Sequence, residues 1–356
     1  MNNIFIIGNG FDLSHNFKTR YDQFLFYFLT SCIINKTDDE MLSIKLIKEN
    51  KAKEFEIFES IEDFLKPENI SYAYLSNTHE VELTTDSIVD YSLPIYHINF
   101  KSRFLYSIFH QNFVNYNNGL KYNRNWFNLE QSIYNFLEKT SKKTGVNAEQ
   151  KEHEITMFNS TIRYISKKLT QYLKHESSTR SLKEKHVAAM SEFIKSFKRE
   201  DSNNIFINYN YTNLIKKYAL ESGDIIYNIH GSIYDENIII GYGATDKIYV
   251  NLLNSDISGA SLYIKNHFYK KKGVYGRIDE KLNDPFRVII LGHSCESTDY
   301  TSLYRIFNHK DCIEVVPCYY DENDLDLKIE SISRLNPKED LISLTDDIKI
   351  PQHNNC

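Results

Sequence analysis

The sequence predicts an α/β protein with a parallel-sheet core and a large, mostly helical insertion. Three observations predict it. The apolar run Ile4–Ile7 leads directly into Gly8-Asn9-Gly10, and a short β-rich run ending in glycine reads as a strand buried on both faces. After Asn204, short apolar runs alternate with helical patterns, which is the rhythm of βαβ units. Between these two regions the pattern is mainly that of amphipathic helices. The expected organisation is a discontinuous α/β core of residues 1–34 and 200–335, a mainly helical insertion over 35–199, and a polar C-terminal tail over 336–356.

In chain order, Thr19 is a candidate N-cap, and Tyr21, Phe24, Leu25 and Phe28 share one helical face behind it. Residues 35–64 are charged and helical in pattern, ending at Pro67, and no element is assigned over 68–94. Further helices are expected over 97–116, 126–139, about 147–175 and 181–199. Beyond Asn204, strands are expected at Ile205–Ile207, Ile225–Ile229, Ile238–Ile240, Val288–Leu291 and Ile313–Val316. Helices are expected between them, at about 213–220, 259–272, 299–308 and 324–334.

Composition narrows the function classes. A net charge of −6 argues against a protein that coats nucleic acid. The five cysteines are scattered and form no CxxC pair, so they read as free thiols in a reducing, cytoplasmic setting. Ile4–Ile7 is too short for a signal peptide and lacks a basic leader. Phe24–Ile34 is too short to span a bilayer and reads as a buried helix. The acidic run Asp321, Glu322, Asp324, Asp326 lacks the glycine and final glutamate of a calcium loop, so no metal is expected. A G-x-S-x-G nucleophile elbow is absent as well.

In an open parallel sheet, ligands bind at the carboxyl ends of the strands. The residues that follow the expected strands are therefore the candidates. They are Gly8, Asn9, Gly10 and Asp12, then Asn208 to Asn213, His230-Gly231-Ser232, Gly241-Tyr242-Gly243 and Gly292-His293-Ser294. Backbone amides in a glycine turn form a concavity suited to anions such as phosphate. The spacing here is Gly-x-Gly-x-x-Leu, with Leu13 where a full dinucleotide fingerprint has a third glycine. Structural readings stand beside the functional ones. Gly8 and Gly10 suit a tight turn, Asn210 and Thr212 suit helix caps, and an isolated His293 suits a core. Ser294 and Asp299 read equally as an N-cap and a first-turn acid for the helix near 299–308. Trp126 reads as core and Glu130 as solvated or paired.

The segments IIGNGFDLSHNFKTRYDQF, WFNLEQSI, FINYNYTNLI, NIHGSI and VIILGHSCESTDYTSLYRIF occur in an order that resembles the bacteriophage abortive infection AbiH family. More distantly, they resemble the sirtuin-like domains of antiphage NAD-cleaving proteins. The resemblance implies a Rossmann-like, sirtuin-like core and a nucleotide partner, with NAD as substrate or ligand. It places the turn Gly8, Asn9 and Gly10 against the pyrophosphate, Asn210 beside the nicotinamide ribose, His230 as ribose-facing general base and Ser294 on the adenosine ribose. Gly231 and Gly292 join the binding residues beside His230 and Ser294. Two departures stand out: Thr212 replaces the acid expected after Asn-Tyr, and Asp12 sits in a turn that normally carries small residues.

The implied reaction is economical. Nicotinamide leaves NAD as a neutral molecule, so one histidine base, worth roughly 10²–10⁴-fold, and an asparagine to orient hydroxyls would serve. A pair of catalytic carboxylates is unnecessary. The expectation is therefore an abortive-infection effector that binds and hydrolyses NAD or a related nucleotide, as a homo-oligomer or with a defence-system protein, and away from membranes. Two alternatives remain. One is a nucleic-acid-directed toxin or nuclease, suggested by the basic and aromatic stretch Lys265–Arg277. The other is a non-catalytic sensor with a nucleotide pocket.

Overall fold

The computed structural model describes residues 1–34, 40–48, 71–75, 80–84, 95–108, 126–198, 202–219, 221–243, 259–282, 284–335, 341–344 and 348–352. In chain order the elements are β1 (Asn2–Ile7), α1 (Asn9–Ser14), α2 (Tyr21–Ile34), β2 (Leu42–Lys48), β3 (Ser71–Leu75), β4 (Glu80–Thr84) and β5 (Ile95–Phe100). Then come α3 (Trp126–Lys142), α4 (Ala148–Thr179), α5 (Glu184–Phe197), β6 (Asn204–Asn208) and β7 (Ile225–Asn228). The chain continues with α6 (Lys265–Lys271), α7 (Val274–Asp279), β8 (Phe286–Leu291), α8 (Tyr300–Phe307), β9 (Cys312–Cys318) and α9 (Glu322–Arg334). Among the described residues no helix is long and apolar enough to cross a membrane.

The chain divides into two compact units. The first comprises residues 1–19, 173–254 and 261–356. Its five-stranded sheet has the order β7-β6-β1-β8-β9, and every pairing is parallel. From central β1 the chain builds outward through β6 and β7, then returns across β1 to β8 and β9. The order reverses between β1 and β8, which makes that gap the topological switch point of a Rossmann-like core.

Why the run Ile4–Ile7 of β1 is apolar throughout follows from its position. Ile4 and Ile6, with Ile205, Ile207, Val288 and Ile290, pack on one face against Tyr269, Val274 and Ile278 of α6–α7 and Leu303, Ile306 and Phe307 of α8. Phe5 and Ile7, with Phe206, Ile289 and Leu291, pack on the other against Phe11 and against Met190 and Ile194 of α5. The Phe5 and Phe206 rings stack at 4.6 Å. Over Ile4–Ile7 alternation survives only as a choice between two cores, so that run carries no polar side.

The second unit comprises residues 20–172 and 255–260. Its helices pack around Phe104, Phe136 and Phe158, with Phe104 and Phe158 centroids 4.8 Å apart. It also holds a four-stranded sheet of order β2-β5-β4-β3, antiparallel throughout.

Several expected elements differ. The helical pattern read over 35–64 contains strand β2, and the helix read from 97 begins inside strand β5, with helix at 103–108 instead. Both strands alternate apolar and polar residues, Leu42-Ser43-Ile44-Lys45-Leu46 and Tyr96-His97-Ile98-Asn99-Phe100, and the period of two overrides their charged flanks. The parts of those helices over 49–64 and 109–116 lie outside the described residues. Ile238–Ile240 is no strand: Ile239 N–H donates to His230 O at 2.7 Å and Tyr211 Oη donates to Ile239 O at 3.1 Å. These bonds satisfy the segment without a ladder while Ile239 and Ile240 stay buried. Ahead of α2, the Thr19 hydroxyl donates to Asn9 Oδ1 at 2.6 Å. The tail read as polar places Ile348 and Ile350 in the core.

Candidate functional site

The glycines of the first turn serve close packing of two strand exits. Gly8 N–H donates to Leu291 O at 3.0 Å and Gly10 N–H to Gly292 O at 2.8 Å. A Cβ on Gly8 would lie 2.4 Å from His293 Cα, and one on Gly10 2.8 Å from Gly292 O. Gly292 has φ +67°, and its Cβ would meet Phe11 N at 2.2 Å. Backbone therefore rests on backbone where β1 and β8 end, and any side chain would part them. Asn9 is held by Thr19. Gly231, at φ +80°, lets Asn237 fold back over the turn, where its Oδ1 accepts from Ser232 N–H at 3.0 Å.

Asp12 faces the protein interior and is 1% exposed. Its Oδ1 accepts from Asn210 Nδ2 at 3.0 Å and its Oδ2 from the Thr212 hydroxyl at 2.7 Å. Asn210 Nδ2 also donates to Gly8 O at 2.9 Å. Neither Asn210 nor Thr212 acts as a helix cap here; together they tie the exit of β6 to that of β1. Burial outweighs the hydrogen bonds from Thr212 and Asn210 and pushes the Asp12 carboxyl up to about 7. Asn210, Asp12, Gly8 and Thr212 thus form one internal knot.

A second buried group centres on Asp299. Its Oδ1 accepts from Lys265 Nζ at 2.9 Å and His230 Nε2 at 3.0 Å, and His293 Nε2 lies 3.5 Å from Oδ2. Lys265 is 1% exposed. Burial alone would raise the Asp299 carboxyl, but the Lys265 ammonium, with His230 and His293, holds it well below the usual carboxylate range. Burial and the Lys265 charge both lower the His230 pKa, so that imidazole is neutral near pH 7. With Nε2–H directed at Asp299, its remaining nitrogen, Nδ1, is the proton acceptor. His293 has the matching tautomer, because Nδ1 accepts from Cys295 N–H at 2.9 Å.

Tyr209 separates the two imidazoles. Its ring lies edge-on to His230 at 5.1 Å and to His293 at 4.4 Å. Its hydroxyl donates to Ser302 Oγ at 2.8 Å, which donates in turn to Asp299 O at 2.9 Å. A histidine oriented by a carboxylate is the arrangement that makes a general base.

At the switch point a cleft of about 360 Å³ opens, lined by Gly10, Leu13, Ser14, Asn16, Gly292, His293, Ser294, Tyr320, Asp324 and Gln352. His293 belongs to both the cleft and the Asp299 group. Tyr320 spans one wall, its hydroxyl donating to Gly10 O at 2.6 Å.

The structure therefore gathers the predicted residues into neighbouring sets. Gly10, Gly292 and Ser294 line the cleft, Gly8, Asp12 and Asn210 form the knot, and His230 joins Asp299. Gly231 and Asn9 support turns. Asp299 is no simple first-turn acid, since its carboxylate makes no cap bond to α8 and instead meets Lys265 and the histidines. His293 is part of the same group. Sequence reasoning missed Lys265, Tyr320 and the role of Tyr209; Lys265 lay hidden inside a basic run whose other lysines face outward. Glu130 is buried, at 6% exposure, rather than solvated, and the side chain of Trp126 lies outside the described residues.

Comparison with curated proteins finds no match. Residues 4–320 match the model of a family described as bacteriophage abortive infection AbiH. That match runs from the first strand of the central sheet past its last and includes every residue of the knot and the Asp299 group. The chain belongs to the bacteriophage abortive infection AbiH family.

Proposed function

We propose that this chain is an abortive-infection effector that binds NAD or a closely related nucleotide at the carboxyl edge of its parallel sheet and hydrolyses it. Family membership suggests the coarser role, in phage abortive infection. The observation that carries the finer reading is the bond from His230 Nε2 to Asp299, which leaves Nδ1 as a neutral base in the group that reaches the switch-point cleft through His293. In the reaction the bond between ribose C1′ and the nicotinamide nitrogen breaks, and nicotinamide departs with the electron pair. Water adds to C1′ and gives its proton to His230. Asp299 steadies the imidazolium that forms, while Lys265 keeps Asp299 ionised.

The test is incubation of the purified protein with NAD, alone and with extract of phage-infected cells, with quantification of nicotinamide and ADP-ribose. Release of both supports the reading, and absence of release under every condition removes it.

A second reading, nucleotide binding without turnover, is favoured by one observation. Asn210, expected beside the reacting ribose, is engaged by Gly8 and Asp12. Bound nucleotide recovered intact would select it. The nucleic-acid reading loses its sequence basis, because Tyr269 is buried and Phe268 and Tyr275 pack on the core rather than presenting rings for base stacking.

A further inference from the structure

Among the described residues the cleft at the switch point is lined by polar and apolar side chains and one carboxylate, Asp324, with no lysine or arginine. A pocket for phosphate normally presents cations or convergent amides. Here Gly8 and Gly10 N–H already donate to the β8 exit. The ammonium that meets Asp324, Lys328 Nζ, is buried and donates to Cys318 O at 2.6 Å and to Asp324 Oδ2 at 3.1 Å.

Asp324 is held by one oxygen only. Oδ2 accepts from Lys328 and from Tyr320 N–H at 3.0 Å. Among the described residues Oδ1 has no partner, and the side chain is 34% exposed. A carboxylate fixed through one oxygen and open at the other accepts hydroxyl protons, and the vicinal diol of a ribose supplies two. Ser294 is a further hydroxyl in the same cleft. Two more acids, Asp321 and Glu322, begin the same helix.

We infer that Asp324 anchors the ribose diol of a nucleoside in this cleft, so that the protein takes a dinucleotide with a free 2′-hydroxyl and rejects its 2′-phosphorylated counterpart. The inference rests on the proposal that the cleft is the nucleotide site. A 2′-phosphate would remove one donor from the diol and place a dianion against a carboxylate. Like-charge contact in a confined site is a strong discriminator.

The experiment is calorimetric titration of the full chain with NAD, NADP and adenosine, repeated on Asp324→Asn. Asparagine keeps an acceptor for Tyr320 N–H and loses the charge. Wild type should bind NAD at least about tenfold more tightly than NADP, with adenosine also bound. In Asp324→Asn the NAD-to-NADP ratio should fall towards one. Equal wild-type affinities for NAD and NADP, or an unchanged ratio in a folded Asp324→Asn, would overturn the role of Asp324 while leaving the nucleotide reading intact. Failure of wild type to bind any of the three would overturn both.

Discussion

His230 and Asp299, 69 residues apart in sequence, meet through an Nε2–Oδ1 contact of 3.0 Å. The contact joins the exit of β7 to the start of α8 and fixes which imidazole nitrogen is basic. Asp299→Asn should therefore lower the maximal rate of any His230-dependent turnover by roughly 10²–10⁴-fold. Because it also removes the carboxylate charge that meets the buried Lys265 ammonium, it should cost about 3–5 kcal/mol of stability. Lys265→Met in the same background should return part of that stability without restoring turnover. Chemical denaturation beside a rate assay separates the two effects. A rate loss that tracks the fraction unfolded would remove Asp299 from the chemistry.

Asp12 gives stability a pH dependence of its own. Its pKa is raised by burial from the ordinary 3.8 to about 7, so the folded protein holds a proton that the unfolded chain has released. Its contribution is fully present below about 4 and is lost as pH rises through about 7. His230 and Asp299, whose folded pKa values are depressed, act in the opposite sense and destabilise on acidification. Asp12→Asn isolates the first effect: its melting temperature relative to wild type should climb between pH 5 and pH 8, an interval chosen to bracket a pKa of about 7. A difference that stays flat over that range would show that Asp12 is ionised throughout.

The contact between the β1 and β8 exits should be intolerant of side chains. Gly292→Ala combines an unfavourable φ of +67° with a Cβ placed 2.2 Å from Phe11 N. The conformation alone costs about 1–2 kcal/mol, and the displaced turn adds to it. We expect a total of about 2–4 kcal/mol by denaturant titration. Gly276→Ala, in α7 and with open space around it, is the control and should be neutral or slightly stabilising. Equal effects would mean that the two exits separate freely.

Phe5→Ala tests the second core. Phe5 is fully buried and stacked on Phe206, so its truncation should cost about 3–5 kcal/mol. A loss near 1 kcal/mol, read from the shift in denaturation midpoint, would indicate that the cavity collapses.

Much of the central sheet was legible because a two-sided strand announces itself: Ile4–Ile7 and Val288–Leu291 are apolar throughout, and glycine follows each. The antiparallel sheet was harder to read because its period-two signal is short and lies among lysines and glutamates, which favour a helical reading. The strand exits pointed to Gly10, His230, Gly292 and Ser294 because a parallel sheet gathers its carboxyl ends along one edge. They could not reveal that Asn210 and Asp12 bind each other, because a carboxylate at a turn looks the same whether it faces a ligand or an amide. Lys265 was beyond reach for a similar reason: one buried lysine among five in the run KNHFYKKKGVYGR and its flank carries no local mark. Its meaning comes from Asp299, which is supplied by another segment.

The most direct test is nicotinamide release from NAD by purified wild-type chain and by His230→Ala, each with its melting temperature recorded. Release by wild type is expected, with and without phage-infected extract compared, and loss of at least about 100-fold in a variant that melts like wild type. Release undiminished in the variant, or no release from wild type under either condition, would contradict it.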